Sequence, residues 1–258
     1  MNIGLIGAGA IANFLLKEIN DAGHEQLRIT SVYVRNREKY QGLEAEFGVK
    51  LYTDFDTFLE SDIDLVVEAA NVDAVRNLLP ATIKKKSAVL ISIGALVDET
   101  LLTEITELAS RHHHVIHLPS GAIGGLDLLQ NAHALKVVKK VSLTTRKPAH
   151  TLMDEAVTEE TILFEGNAAE AIKQFPKNIN VSIVLSLAGL GIERTKVRII
   201  ADPHIEKNIH QIEMAGDFGE TTFTIKNNPL PSNPKTSYLA AMSILGTLDR
   251  LGKNIRIG

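Results

Sequence analysis

The amino-acid sequence predicts an α/β protein with a doubly wound parallel sheet in its first half and an α+β domain in its second. Three observations support this fold class. A short apolar run leads directly into the glycine-rich segment Gly7-x-Gly9-x-x-Ala12. Strand-like and helix-like segments then alternate through residue 118, which is typical of repeated βαβ units. The alternation stops at residues 119–125, where three glycines occur within five residues.

The composition is that of an ordinary globular protein. The 258 residues are 45% hydrophobic and 22% charged, with a formal net charge of −4 and a pI of about 6.1. This balance argues against nucleic acid or an anionic membrane as a partner. The absence of cysteine excludes disulfides, thiolate metal sites and a thiol nucleophile. Because there is no 18-residue apolar run and the N-terminus reads as a strand, we expect no membrane span, no signal peptide and a cytoplasmic location.

The segment around Gly7 has the order of a dinucleotide-binding turn: strand, glycine turn, helix. Gly7 permits the tight turn, Gly9 lets the backbone approach a pyrophosphate, and Ala12 allows close packing of helix on strand. The N-terminus of the helix offers free N–H groups and a partial positive charge to phosphates. The cofactor-binding residues predicted for this Rossmann turn are Gly7, Gly9, Ala10 and Ile11. The alternative is a glycine turn that binds nothing.

The first 118 residues contain six predicted strands and about five helices, the arrangement of a doubly wound sheet. The strands are expected at residues 3–6, 29–34, 49–52, 63–70, 88–93 and 115–118. The helix that begins at Val72 is expected to stop near Pro80, because proline lacks the N–H that a helix interior needs. Ala70 follows the fourth strand at the carboxyl edge of the sheet, where a small residue leaves room for a nicotinamide ribose. We therefore include Ala70 among the cofactor-binding candidates.

The second predicted strand ends in Arg35-Asn36-Arg37. An NAD-specific site normally carries Asp or Glu at this point, to bind the ribose 2′-OH. A carboxylate would repel a 2′-phosphate, whereas guanidinium groups bind one well. Arg35 and Asn36 are therefore predicted cofactor contacts, and Arg35 with Arg37 indicates that NADP is accepted, with NAD still compatible. The alternative is that both arginines are solvated loop residues.

The second half is predicted to be α+β. Its strands are expected at residues 136–145, 162–164, 197–201, 208–214 and 221–225, and its helices at residues 168–175, 181–190 and 237–251. We place a dinucleotide-binding domain at residues 1–118 and a substrate domain at residues 119–234. Residues 235–258 are expected to form a C-terminal helix that packs back on the first domain.

Polar residues collect at the ends of elements in the second half, as a small dianionic substrate would require. Cationic side chains can hold its carboxylates, while amides and hydroxyls orient the remainder. The substrate-binding candidates are Thr145, Lys147, Lys177 and Asn178. Each has an ordinary alternative, since the lysines can be surface residues and Asn178 or Asn180 a helix N-cap. His210 lies within a predicted strand and can equally be a hydrogen-bonded sheet histidine.

The run His112-His113-His114 resembles a metal site only in composition. Adjacent histidines cannot all face one ion, and no carboxylate or thiol set accompanies them. We predict no metal site.

Five motifs of the second half together resemble the L-aspartate dehydrogenase family. They are Pro119-Ser-Gly-Ala-Ile-Gly-Gly-Leu-Asp127, Thr145-Arg-Lys-Pro148, Phe175-Pro-Lys-Asn-Ile-Asn-Val181, Ala201-Asp-Pro203 with Asn208-x-His210, and Asn233-Pro-Lys-Thr-Ser237. Their order and spacing match the family essentially from end to end, which is far more specific than the glycine turn alone.

The resemblance implies a Rossmann domain, an α+β substrate and dimerisation domain, and a homodimer. It also implies NAD(P)-dependent oxidation of L-aspartate to iminoaspartate, which hydrolyses to oxaloacetate and ammonia or feeds NAD biosynthesis. The active-site histidine of the family corresponds to His210, and its cofactor contacts to Ala122 and Asn180. On this hypothesis His210, with a pKa near 6.5, acts as the general base.

Two other functions are compatible with the sequence. One is a different Rossmann-type NAD(P)-dependent oxidoreductase of a small dicarboxylic substrate. Among these, thioester-forming semialdehyde dehydrogenases are excluded by the absent cysteine, and the Glu-Lys-Pro motif of related sugar oxidoreductases is missing, since Arg146 precedes Lys147. The other is a non-catalytic NADP-sensing protein, which would not need His210.

Overall fold

The computed structural model describes residues 1–155, 157–175 and 180–255, apart from the side chain of Lys235. The chain divides into two compact units. Unit 1 contains Met1–Pro119 and the described residues from Ala241 onward, and unit 2 contains Ser120–Ala240. No helix in the described part of the chain is long and apolar enough to cross a membrane.

Unit 1 is built on a six-stranded parallel sheet. Its strands are β1 (Asn2–Ile6), β2 (Arg28–Tyr33), β3 (Lys50–Tyr52), β4 (Leu65–Glu68), β5 (Ser87–Leu90) and β6 (Ile116–His117). They lie in the order β3-β2-β1-β4-β5-β6, which is the order of the doubly wound dinucleotide-binding sheet. The order reverses between β1 and β4, so the carboxyl ends of these two strands mark the point where such sheets bind ligands. The predicted fold class is confirmed.

The helices of unit 1 connect these strands. They are α1 (Ala10–Leu16), continued by a π-helical turn at Lys17–Asp21, α2 (Gly42–Phe47), α3 (Phe55–Leu59), α4 (Val72–Lys85) and α5 (Glu99–His112). A C-terminal helix spans Tyr238–Gly252. Its Ile244 and Leu248 are fully buried in the same core as Leu5 and Leu15, so the part of the helix from Ala241 onward completes unit 1.

The prediction that α4 stops near Pro80 is wrong, because the helix continues to Lys85 with Pro80 in its interior. A helix-interior proline costs about 3 kcal/mol relative to alanine. Leu79 and Ile83 lie on the buried face of α4, and burying each side chain contributes roughly 1.5–3 kcal/mol. Packing on the sheet therefore offsets the missing hydrogen bond.

Unit 2 contains a five-stranded mixed sheet and a small two-stranded one. The strands are β7 (Val138–Pro148), β8 (Thr161–Asn167), β9 (Lys196–Asp202), β10 (Asn208–Gly216), β11 (Gly219–Asn227), β12 (Pro229–Leu230) and β13 (Asn233–Ser237). The large sheet has the order β11-β10-β7-β9-β8, with β7 and β9 parallel and the other pairs antiparallel. The β12–β13 pair was not predicted, since both strands are short.

Three described helices belong to unit 2: α6 (Leu126–Ala134), α7 (Ala168–Gln174) and α8 (Asn180–Ala188). Helix α6 packs on β7, and α7 packs on β8 and β9. The helix α6 was missed, because it begins directly after Gly125 in a segment whose glycines indicate a loop. The covered face of the sheet carries buried apolar residues such as Leu143, Ile199, Ile212 and Met214.

Replacing Pro80 by alanine tests the explanation of α4. Pro80→Ala restores an N–H that can donate to the Arg76 carbonyl, so we expect the free energy of unfolding to rise, by up to about 3 kcal/mol. Urea unfolding at 25 °C measures the change. A variant of equal or lower stability would show that the helix does not carry the cost we assign to Pro80.

Candidate active site

The turn between β1 and α1 requires glycine at its first position. Gly7 has a φ of +101°, and its N–H donates to the Tyr33 carbonyl over 3.0 Å. A Cβ placed on Gly7 would lie 2.9 Å from the Ala70 Cβ and 3.0 Å from the Ala69 carbonyl oxygen. A side chain would therefore be strained and would clash with the end of β4. This close approach also brings Ala70 beside the glycine turn.

Gly9 has a different environment from Gly7. It is exposed and caps α1, and a Cβ placed on it would meet no atom within 4 Å. The space in front of the N-terminus of α1 is therefore open, as the approach of a pyrophosphate requires. Ala10 and Ile11 form the first turn of α1, and Ala12 is fully buried. The predicted residues of the turn thus fit a dinucleotide.

Asn13 stabilises this turn, although no motif in the sequence predicted it. The Asn13 side-chain amide donates to the carbonyls of Ala8 (3.2 Å) and Gly9 (3.0 Å). These two hydrogen bonds tie the loop to the first turn of α1 and stabilise its conformation. An amide four residues after the second glycine was the only signal in the sequence.

The two arginines that follow β2 have different contacts. Arg37 forms a two-pronged ion pair with Glu44, with Nη2 3.1 Å and 3.0 Å from the two carboxylate oxygens. The Leu51 amide and then Arg37 lower the pKa of Glu44, so this carboxylate stays charged. The side chain of Arg35 is exposed, and within the described part of the chain it has no ion pair. Asn36 accepts a hydrogen bond from the Lys39 amide over 3.1 Å.

A buried carboxyl group joins the carboxyl ends of β4 and β5. Glu68 is 2% exposed and accepts hydrogen bonds from the Ala70 amide (2.8 Å), the Ser92 amide (3.0 Å) and the Ser92 hydroxyl (2.9 Å). Burial raises the pKa of Glu68, because desolvation outweighs these hydrogen bonds. Glu68 therefore holds the backbone of Ala70, a predicted cofactor contact, in register with the next strand.

His210 and Thr145 form a buried pair in unit 2. They are opposite each other in the antiparallel pairing of β10 with β7, and 3.0 Å separates Thr145 Oγ1 from His210 Nδ1. Both residues are 4% exposed. Because side chains alternate along a strand, Lys147 lies on the same face of β7 as Thr145. The structure thus brings together three of the predicted site residues.

The electrostatics of His210 differ from the prediction. Burial, followed by the positive charge of Lys147, lowers the pKa of His210 from its usual value near 6.5 to about 4. Burial also lowers the pKa of Lys147. The expectation of a pKa near 6.5 is therefore wrong for the free protein: His210 is a neutral imidazole at physiological pH. The strand position was predictable from the sequence, but the depth of burial was not.

The remaining predicted residues are spread along unit 2. Ala122 is buried in the glycine-rich loop, 5% exposed, and Asn180 begins α8 with an exposed side chain. Lys177 and Asn178 lie outside the described residues. In the histidine run, His114 Nδ1 lies 2.7 Å from the Ile83 carbonyl. The described residues contain no group of histidine and acidic side chains that would hold a metal ion.

Two protein-family models match the chain, one in each half. The model of "Homoserine dehydrogenase, NAD binding domain" matches residues 7–119, and that of "Aspartate dehydrogenase, C-terminal" matches residues 127–251. The L-aspartate dehydrogenase of Methanosarcina mazei is 40% identical, over 100% of this chain and 99% of the relative. The L-aspartate dehydrogenase of Methanopyrus kandleri is 38% identical, over 100% and 98%.

Among solved structures, the fold is also similar to that of an aspartate dehydrogenase. The crystal structure of aspartate dehydrogenase from Thermotoga maritima has a TM-score of 0.83 at 32% identity and covers 100% of this chain and 99% of its own. Apo scyllo-inositol dehydrogenase from Lactobacillus casei has a TM-score of 0.61 at 12% identity, covering 100% and 90%, and shares only the fold.

The NAD-binding model and the glycine turn define a Rossmann-type NAD(P)-dependent oxidoreductase. Identity near 40% over the full length narrows this class further. The chain belongs to the L-aspartate dehydrogenase family, as the five motifs predicted.

The low pKa of His210 predicts a specific loss of stability in acid. The unfolded chain takes up the histidine proton near pH 6.5, whereas the folded chain resists it until about pH 4. Stability is therefore lost as the pH falls through this window, by about 2 kcal/mol between pH 7.5 and pH 5. His210→Gln lacks this contribution, so urea unfolding should show a smaller acid loss for the variant.

The matched control is His150→Gln, which removes an exposed histidine. It should lose the same stability as the wild type over this pH range. If the wild type and His210→Gln lose stability in parallel, the burial of a neutral His210 is refuted.

Proposed function

We infer that this chain catalyses the NAD(P)-dependent oxidation of L-aspartate to iminoaspartate, which hydrolyses to oxaloacetate and ammonia, together with the reverse reductive amination. The observation that carries this conclusion is the match of an NAD-binding model and an aspartate dehydrogenase C-terminal model to the two halves of one chain. The glycine turn of unit 1 and the buried His210–Thr145 pair of unit 2 supply the groups that such a reaction needs.

The cofactor would be held by the residues predicted for it. The open N-terminus of α1, with Gly7, Gly9, Ala10 and Ile11, suits the pyrophosphate. Ala70, Ala122 and Asn180 are proposed for the nicotinamide half. When bound, NAD(P) supplies the hydride acceptor, and the protein contributes orientation and charge.

His210 is proposed as the general base. L-aspartate binds as an ammonium, and its nitrogen must lose a proton before the Cα–H can leave as hydride. An imidazole that is neutral in the free protein is already in the form that accepts this proton at Nε2. For Nε2 to carry the lone pair, Nδ1–H must donate to Thr145 Oγ1. The same nitrogen, once free again, would activate water for hydrolysis of the imine.

Binding of L-aspartate would raise the pKa of His210. The two carboxylates of L-aspartate bring negative charge to the site, and a nearby negative charge raises the pKa of an imidazole. Lys147 is proposed to pair with one carboxylate, which would also stabilise its own charged form against the effect of burial. Lys177 and Asn178 are proposed for the other carboxylate. Thr145 was predicted to contact substrate, but we propose that it orients His210.

We propose that NADP is accepted through Arg35 rather than Arg37. Arg37 is engaged by Glu44, whose charge would repel a 2′-phosphate. Arg35 is exposed and carries no ion pair within the described residues. We also propose, from the family, that the enzyme is a homodimer, and that it works in the cytoplasm, where it would draw on pools of NAD(P) and L-aspartate.

Absorbance at 340 nm tests the proposed reaction. Purified protein should reduce NAD or NADP with L-aspartate, and not with D-aspartate, L-alanine or L-glutamate. With oxaloacetate, ammonia and reduced cofactor, the absorbance should fall. Silence in both directions would overturn the assignment of L-aspartate as substrate.

Thr145→Val tests the orientation of His210. Valine keeps the shape of threonine but removes the hydroxyl that bonds Nδ1, so we expect kcat to fall by about 10- to 100-fold, with a smaller change in KM for L-aspartate. Thr145→Ser retains the hydroxyl and should keep most of the activity. If Thr145→Val changes only KM, the hydroxyl serves substrate binding, as the sequence predicted, and the positioning role is wrong.

Arg35→Ala tests the choice of cofactor. Losing one charge-assisted contact to a 2′-phosphate should raise KM for NADP about 10-fold and leave KM for NAD unchanged. Arg37→Ala is the matched control, because its ion pair with Glu44 lies at the surface, where such pairs contribute little to stability. A larger effect on NADP from Arg37→Ala than from Arg35→Ala would reverse our assignment.

A further inference from the structure

A buried amide lies at the end of β11, outside the glycine turn and the five family motifs. Asn227 is 4% exposed. It is opposite Asn208 in the pairing of β11 with β10, and Asn208 is two residues from His210 on the same strand. A polar side chain buried this deeply needs hydrogen-bond partners at both ends of its amide group.

The two ends of the Asn227 amide bind two distant segments of unit 2. Its Nδ2 donates to the Ala122 carbonyl over 3.0 Å, across 105 residues of sequence. Its Oδ1 accepts from the Ser237 hydroxyl over 2.6 Å. The glycine-rich loop, the end of β11 and the end of β13 are therefore joined through one side chain.

The loop that Asn227 holds has an unusual backbone. Gly121 and Gly125 have φ values of +66° and +77°, and a Cβ on Gly125 would lie 2.4 Å from the Phe223 ring. Ala122, between these glycines, is buried. Glycine residues allow this path but do not select it, because they also permit many others. The hydrogen bond from Asn227 to the Ala122 carbonyl favours this path over the others.

Only an amide satisfies both contacts. Aspartate at position 227 would keep an acceptor for Ser237 but would place a carboxylate oxygen against the Ala122 carbonyl oxygen. Alanine would leave both the carbonyl and the hydroxyl without this partner. Leaving a buried carbonyl unpaired costs about 1–3 kcal/mol, so the loop would move to find another donor.

We propose that Asn227 is a positioning residue for the nicotinamide half of the cofactor. It acts through Ala122: by fixing the Ala122 carbonyl, it holds the glycine-rich loop in the conformation that receives the nicotinamide ribose. The proposal rests on the proposed function, since it takes Ala122 as a cofactor contact. In this role Asn227 acts only through its hydrogen bond to the loop.

The test compares cofactors with fragments that lack nicotinamide. NADH binding is followed by its fluorescence, and ADP-ribose binding by competition; NADPH and 2′-phospho-ADP-ribose form a second pair. Asn227→Asp should weaken the reduced cofactor about 10-fold or more and leave the fragment unchanged. Asn228→Asp makes the same chemical change at the exposed neighbour and should bind every ligand as the wild type does.

Ser237→Ala keeps the test decisive if Asn227→Asp fails to fold. Ser237 is only half-buried, and its loss frees one end of the amide while the donor to Ala122 remains, so a smaller selective weakening is expected. Equal weakening of cofactor and fragment, or no weakening in either variant, overturns the positioning role. If the wild type binds neither cofactor, the proposed function itself fails. A wild type that binds NADH but does not oxidise L-aspartate overturns only the reaction.

Discussion

The hydrogen bond between Thr145 and His210 is the interaction on which the proposed chemistry depends. It lies on the helix-covered face of the sheet in unit 2, where the surroundings keep the imidazole neutral. A neutral imidazole has two tautomers, and only one leaves Nε2 free to accept a proton. Because the sheet pairing sets Thr145 opposite His210, the fold determines which ring nitrogen forms the hydrogen bond with the hydroxyl. Lys147 then adds positive charge from the same face, which suits an anionic substrate.

Buried polar side chains also hold loops in place at the ends of strands in both units. Glu68 in unit 1 and Asn227 in unit 2 are buried polar side chains whose partners include backbone groups of neighbouring loops. An unpaired polar group in such a place costs more than a satisfied one gains. Each side chain therefore restricts loops that would otherwise have many conformations, and the loops so restricted carry Ala70 and Ala122. Catalysis requires reacting groups in a fixed geometry, and loops held on a rigid sheet can provide it.

The fold was predictable from the sequence because its signals are local. Alternating strands and helices, and a glycine turn at Gly7 that excludes any side chain, follow from short stretches of chain. Signals that depend on tertiary packing were not predictable. Pro80 remains inside α4 because distant residues pack on that helix, and the pKa of His210 depends on how deeply the sheet is covered. Asn13, Glu68 and Asn227 acquire their roles through partners that the sequence does not identify.

In the proposed reaction, hydride passes from the Cα of L-aspartate to the cofactor. The most direct measurement uses L-aspartate deuterated at Cα, with NMR of the reduced nicotinamide after turnover. We expect one deuterium at C4 of the nicotinamide, on a single face, because a rigid site presents one face of the ring to the substrate. Reduced cofactor without deuterium, or deuterium released to water, would contradict it.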